Sequence, residues 1–350
     1  MDSTPKNSYF SLKNMSLFFL MIVTGLFFLS LVTLNPSTAG FPSISRQCSH
    51  PNKTPMSMTS DDELGEALRR ASMANKTVII GIVNQAYVEG RVMPNMLDLF
   101  LEGFWAGEGT RELVNHLIIV AVDQTAYERC LFRGLHCYRL ATDDANFMGE
   151  QVFMSNDFIN MMWRRTFFLL QVLKKGYSFI FTDTDVIWLR NPFSILTRDE
   201  ESQELDIQLS TDFYNGNSTS VSNSINTGFY FVKSNNKTIA LFEKWYGYKD
   251  NSTGLKEQDV LQNMTWKGVL GDLGLRFRFL ETRLFSGFCE ESPDVHAVVT
   301  IHANCCRFIS AKVTDLARVL RQWLRFRADP SNQTTPFQWP NHVQCLKSWD

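Results

Sequence analysis

The sequence predicts an α/β fold: a mostly parallel sheet flanked by helices, preceded by one N-terminal transmembrane helix. Three observations predict it. Apolar, β-branched runs of buried-strand type recur at Val78–Val83, Leu117–Val122 and Phe179–Phe181. Helical periodicity lies between them, clearest over Ser155–Lys174, and strands that alternate with helices build parallel sheets. Ahead of all of them stands an uncharged, almost wholly apolar stretch, Met15–Leu34.

In chain order, residues 1–14 read as a cytosolic tail carrying Lys6 and Lys13. A helix over Met15–Leu34 would rise about 30 Å, the thickness of a bilayer core. With the lysines before it, and Arg46 the first positive charge after it, the C-terminal bulk is expected on the lumenal side. The alternative is a cleaved signal peptide ending near Pro36–Gly40, but the apolar run exceeds the roughly 7–15 residues of such a segment. Residues 35–59 are rich in Pro, Ser and Thr and read as a stem. The folded domain is expected over 60–328. It opens with a helix from the capping-box sequence Ser60-Asp61-Asp62-Glu63 to about Met73. Further strands are expected at Ile207–Thr211 and Gly228–Val232, a last amphipathic helix at Asp315–Phe326, and an irregular tail over 329–350. There is no internal repeat.

Composition narrows the function. A 44% hydrophobic and 13% aromatic content supplies a packed core, and a net charge of −2 argues against a nucleic-acid binder, which carries a basic excess. Sequons at Asn52, Asn75, Asn217, Asn236, Asn251, Asn263 and Asn332 fit a glycoprotein. Seven cysteines fit an oxidising compartment; proximity suggests Cys130 with Cys137, and Cys289 with Cys305 or Cys306, and the odd count leaves at least one free or bonded elsewhere. No Cys-x-x-Cys pair points to zinc.

The chemistry centres on Phe181-Thr182-Asp183-Thr184-Asp185-Val186-Ile187-Trp188. Carboxylates at i and i+2 of extended chain project to one side. Adjacent carboxylates repel unless a cation joins them, and Mn²⁺ or Mg²⁺ takes such hard oxygen ligands. The three strand runs end in Asn84, Asp123 and Asp183, and ligands of open α/β sheets bind beyond the strands' carboxyl ends. His302 is a candidate third ligand, since neutral imidazole suits Mn²⁺ beside two carboxylates. The bland alternatives are a solvated turn at Asp183–Asp185 and a structural histidine. Asp183-Thr184-Asp185-Val186 also resembles the nucleophile motif of haloacid-dehalogenase-type phosphatases, in which the first Asp attacks phosphate. That motif usually opens its domain, whereas here a long lumenal stretch precedes it.

Several stretches together resemble the plant nucleotide-diphospho-sugar transferase domain of glycosyltransferase family 77. They are Tyr127-Glu128-Arg129-Cys130, Met161-Met162-Trp163-Arg164-Arg165, Phe181–Trp188, Val232-Lys233-Ser234-Asn235-Asn236, Gln258-Asp259-Val260-Leu261, Gly287-Phe288-Cys289-Glu290 and His302-Ala303-Asn304-Cys305-Cys306, in the family's order. The resemblance implies a GT-A fold, a type II Golgi membrane protein, and retaining transfer of a pentose or galactose from a UDP-sugar. The acceptor would be a cell-wall polysaccharide or glycoprotein. It places the metal on Asp183, Asp185 and His302. Two departures stand out: Thr184 where Ala is frequent, expected to be harmless because the middle residue points away, and Glu257 where Asp often stands.

Roles follow from residue chemistry. Arg164 and Arg165 suit a diphosphate, because a guanidinium donates two parallel hydrogen bonds. Asn84 suits a base or ribose contact, and Gly228 close approach to the donor sugar. Asp259, with Gln258 beside it, is the candidate catalytic carboxylate, able to stabilise positive charge on the sugar; helix capping is its structural alternative. A non-catalytic lumenal protein that binds glycans or scaffolds other transferases is the competing function.

Overall fold

A computed structural model describes residues 60–90, 94–141, 149–328 and 337–350. All of them fall in one compact unit, 58–350. The anchor expected at 15–34 and the stem at 35–59 lie outside the described residues. Among those described, no helix is long and apolar enough to cross a membrane.

The strands are β1 Thr77–Val83, β2 Leu117–Ala121, β3 His136–Arg139, β4 Ser178–Thr182, β5 Val186–Trp188, β6 Ile207–Phe213, β7 Ser224–Val232, β8 Phe277–Phe279, β9 Phe285–Gly287 and β10 Thr300–His302. The principal helices are α1 Ser60–Ala71, α2 Gln85–Val88, α3 Met96–Ala106, α4 Gln124–Phe132, α5 Asn156–Lys174, α6 Asn236–Gly247, α7 Glu257–Trp266, α8 Ile309–Ala328 and α9 Val343–Lys347. Seven strands form the main sheet in the order β3-β2-β1-β4-β7-β6-β8. Only β7 runs against the rest, so the expected mostly parallel sheet is what forms. β5, β10 and β9 make a second, small sheet.

Side-chain alternation assigns the two faces. Val78 and Ile80 point into a core shared with Leu64 and Leu68 of α1, Phe168 and Leu169 of α5, Phe242 of α6 and Leu261 of α7. Ile79 and Val83 point the other way, against Phe100 and Phe104 of α3 and Ala126 of α4. Burial on both faces explains why these strands read as continuous apolar runs. A third core, with Ile187, Ile301, Leu316 and Trp323, packs α8 beneath the small sheet. Helix α5 starts where the periodicity does, and there the Ser155 hydroxyl caps it by accepting the Phe158 amide.

Two expectations change. Helix α8 begins at Ile309, not Asp315, because the Ile309 amide is capped by the Glu150 carboxylate, remote in sequence. The tail is not wholly irregular: it carries α9 and is pinned by a Cys306–Cys345 disulfide. The other disulfides are Cys130–Cys137 and Cys289–Cys305. The seventh cysteine, Cys48, lies outside the described residues.

Candidate functional site

Strands β2, β1 and β4 are neighbours and parallel, so Asn84, Asp123 and Asp183 do share one rim of the sheet. A cavity of about 330 Å³ opens there. Asp123 takes no part in its lining; it caps α4 by accepting the Ala126 amide and also accepts that of Gln85. Asn84 does line the cavity, with its amide donating to the Gly149 carbonyl.

Asp183 and Asp185 occupy the tight turn from β4 into β5, not the extended chain that the spacing suggested. The Asp183 amide donates to the Gly228 carbonyl at 2.7 Å, and the Ala303 amide to the Asp185 carbonyl at 3.0 Å. His302 arrives through strand register: β10 runs antiparallel to β5 with His302 opposite Val186. Its Nε2 stands 3.3 Å from Asp185 Oδ1 and 4.0 Å from Asp183 Oδ2. One ligand atom from each of the three residues lies within 4.8 Å of the others.

Each carboxylate keeps one oxygen for this triangle and gives the other to a cation. Arg165 donates to Asp183 Oδ1 at 3.1 Å, and Lys312 to Asp185 Oδ2 at 2.7 Å. Two hard oxygens and an imidazole nitrogen, oriented by cations behind them, fit a divalent ion of the Mn²⁺ or Mg²⁺ type. Gly228 makes the close approach possible. A Cβ there would stand 2.9 Å from Asp183 Oδ2 and from Asn226 Oδ1, and closer still to His302 Cε1. The glycine therefore serves the carboxylate–histidine cluster itself.

The charges tune one another. Burial raises the Asp183 carboxyl to about 6, with Asp185 adding to the rise and Arg165 opposing it. Burial also works against ionised Asp185, but Lys312 and His302 outweigh it and hold that carboxyl well below the usual range. Burial would lower His302; the charge and hydrogen bond of Asp185 reverse this and raise it.

The remaining expected residues divide. Arg165 is buried in α5, stacked over Phe181, and bonds Glu257 and Thr227 as well as Asp183. It also lines the cavity, as the cation behind the carboxylates. Arg164, one residue round the helix, donates to the Ala141 carbonyl and does not line the cavity. Gln258 lines the cavity and accepts the backbone and hydroxyl of Thr227. Asp259 is not brought to the site: its carboxylate turns back to accept the Lys256 amide at the start of α7, the capping role. Glu257, noted only as a departure, is buried at the site with one oxygen on Arg165 and Thr227. Thr184 does point away, yet it is buried, and its hydroxyl has no hydrogen-bond partner among the described residues.

Lys312, Tyr87 and Asp212 are among the lining residues that escaped the sequence reading. Lys312 carried no local signal. Tyr87, on the first turn beyond β1, also carried none. Asp212 could have been found, because it sits at the carboxyl end of β6, parallel to β4. Its Oδ1 accepts the amides of both Asn226 and Asn304 at 2.8 Å.

The model of a family described as nucleotide-diphospho-sugar transferase matches residues 112–316. The chain belongs to the nucleotide-diphospho-sugar transferase family. That span holds the Asp183–Asp185 turn, Arg165, Gly228, His302 and Lys312. An uncharacterized Arabidopsis thaliana protein is 55% identical over 293 residues, 83% of this chain and 85% of the relative. The beta-arabinofuranosyltransferase RAY1 of Arabidopsis thaliana is 28% identical over 60% of this chain and 39% of its own length. The UDP-galactose:fucoside alpha-3-galactosyltransferase of Dictyostelium discoideum is 26% identical over 48% of this chain and 31% of its own length. The chain is thus a glycosyltransferase of this family, built as a mostly parallel sheet with helices on both faces.

Proposed function

We propose that the protein is a divalent-metal-dependent, retaining glycosyltransferase of GT-A type. It transfers a pentose or galactose from a UDP-sugar to a cell-wall polysaccharide or glycoprotein. It acts as a type II membrane protein of the Golgi lumen. The observation that carries the reading is the convergence of Asp183, Asp185 and His302 within 4.8 Å at the rim of the sheet, in a family of nucleotide-diphospho-sugar transferases. The relatives named for arabinofuranosyl and UDP-galactose transfer support a pentose or hexose donor. The three disulfides fit an oxidising compartment.

Breaking the sugar–diphosphate bond puts negative charge on the leaving group and positive charge on the sugar ring. Bound by Asp185, Asp183 and His302, Mn²⁺ or Mg²⁺ supplies the charge stabilisation for the leaving diphosphate. Arg165 and Lys312 hold the two carboxylates in place from behind. Asp185, with the better anchored carboxylate, would hold the metal directly, and Asp183 would serve both the metal and the ribose. Gln258 and Glu257, both lining the cavity, are placed for contact with sugar hydroxyls. Asp259, committed to its helix, is not placed as a nucleophile, and retaining transfer by front-side attack needs none. Family membership also sides with transfer over the phosphatase reading.

The test is thermal. UDP-galactose or UDP-arabinose with Mn²⁺ should raise the melting temperature of the full-chain protein; a ligand at 100 times its Kd adds about 2.7 kcal/mol. Asp185→Ala should remove the shift. A shift of wild-type size in that variant would sink the site assignment.

A further inference from the structure

Two aromatic rings at the cavity mouth have no place in the chemistry above. Phe153 and Trp349 line the same cavity as the carboxylates, with ring centroids 6.5 Å apart and planes at 73°. They stay 36% and 50% exposed, in a protein whose other tryptophans include four fully buried ones. Each carries a cation against it: Lys256 lies 5.2 Å over Phe153, and Arg307 5.2 Å from the Trp349 ring.

The rings are held, not loose. Trp349 is the penultimate residue, yet five contacts tie its segment down. Cys345 is disulfide-bonded to Cys306, and its amide donates to the buried Asp315 carboxylate at 2.8 Å. The Arg307 amide donates to the Ser348 hydroxyl, and the Trp349 indole N–H to the Cys305 carbonyl at 2.8 Å. His342 stacks on Phe288. Three non-glycine residues among those described have positive φ, and two of them are here: Met154, next to Phe153, at 66° and Cys305 at 51°. Backbone held in that region costs energy and persists where the surroundings enforce it, often at ligand sites.

A glycan acceptor is long, so it has to lie across the open edge of the cavity while its terminal sugar reaches inward. A sugar ring presents a face of C–H bonds. Those hydrogens are attracted to the negative face of an aromatic ring, while flanking cations take hydroxyls or a sugar carboxylate. We propose that Trp349 and Phe153 form the acceptor subsite, receiving a sugar ring of the glycan acceptor, with Arg307 and Lys256 as its polar partners. The C-terminal tail is thereby a working wall of the site, linked through Cys305 and Cys306 to the strand that supplies His302. This assignment rests on the transferase reading and adds the residues that recognise the second substrate.

The experiment probes arrayed arabinan, galactan and xylan oligosaccharides with full-chain protein in UDP and Mn²⁺, alongside the melting shift given by UDP and Mn²⁺ alone. Wild type should bind members of the array. Trp349→Ala should weaken that binding about tenfold or more, the loss expected for one well-packed aromatic contact. Phe153→Ala should do likewise, Trp349→Phe should restore most of it, and all three should keep the UDP–Mn²⁺ shift. Undiminished binding by Trp349→Ala, or a wild type that binds no oligosaccharide while showing the UDP–Mn²⁺ shift, overturns the subsite. A wild type without that shift overturns the transferase reading instead.

Discussion

Replacing Gly228 by alanine tests the cluster with one methyl group. The backbone at 228 is not in the left-handed region, so the requirement is for space and not for conformation. The new Cβ would stand 2.9 Å from Asp183 Oδ2 and well inside contact distance of the His302 ring, where ordinary contact begins at 3.4 Å. Strand β7 cannot withdraw easily. It is paired to β4 with Phe229 opposite Thr182, and the Gly228 carbonyl holds the Asp183 amide at 2.7 Å. The imidazole is therefore the group that gives way, by about 1 Å, which takes its nitrogen out of the triangle. Overpacking of this kind costs about 1–3 kcal/mol of stability. Misorienting one ligand costs about 10- to 100-fold in metal affinity. Isothermal titration with Mn²⁺ in the presence of UDP measures the second quantity, and urea unfolding the first. A folded Gly228→Ala protein with wild-type Mn²⁺ affinity would refute the reasoning, because the three side chains could not then be the ligands in this arrangement.

Other outcomes are expected on the same grounds. Arg165→Met leaves the buried Glu257 and half-exposed Asp183 without their cation and should cost about 3–5 kcal/mol in urea unfolding. Adding Glu257→Gln should recover part of that loss, and failure to recover any would argue against a direct pair. Asp183, raised to about 6, keeps a proton in the metal-free folded state over a range, between about pH 4 and 6, where the unfolded chain has released it. The stability from that carboxyl is thus present below about pH 4 and lost as pH rises through 6. The melting temperature of metal-free wild type should accordingly fall relative to Asp183→Asn across that window, modestly, since the side chain is 35% exposed; the opposite slope would contradict the assignment. Cys345→Ser opens a loop of sequence separation 39 and should lower stability by about 3–4 kcal/mol, read as a lower melting temperature under non-reducing conditions.

The sequence by itself determined the sheet's parallel core and the carboxylates at its rim. Burial on both faces leaves a local trace, an unbroken apolar run, and a strand's polar end is visible beside it. Thus β1, β2 and β4, with Asn84 and Asp183, could be read directly. The helical periodicity over Ser155–Lys174 likewise announced α5. The family resemblance brought in His302, which spacing could not. What the chain could not announce were relations between distant segments. Whether Arg164 or Arg165 faces the site depends on the helix's rotation against β4. Asp259 differs from Gln258 and Glu257 only in which way the first turn of α7 points. Lys312 reaches Asp185 because α8 starts at Ile309, and that start is set by Glu150, a cap 159 residues away. Trp349 reaches the cavity through long-range ties, a disulfide and hydrogen bonds to residues 305–307 among them. The tertiary structure decided these, because register, helix rotation and remote capping are fixed by packing among elements whose identities are local but whose mutual placement is not.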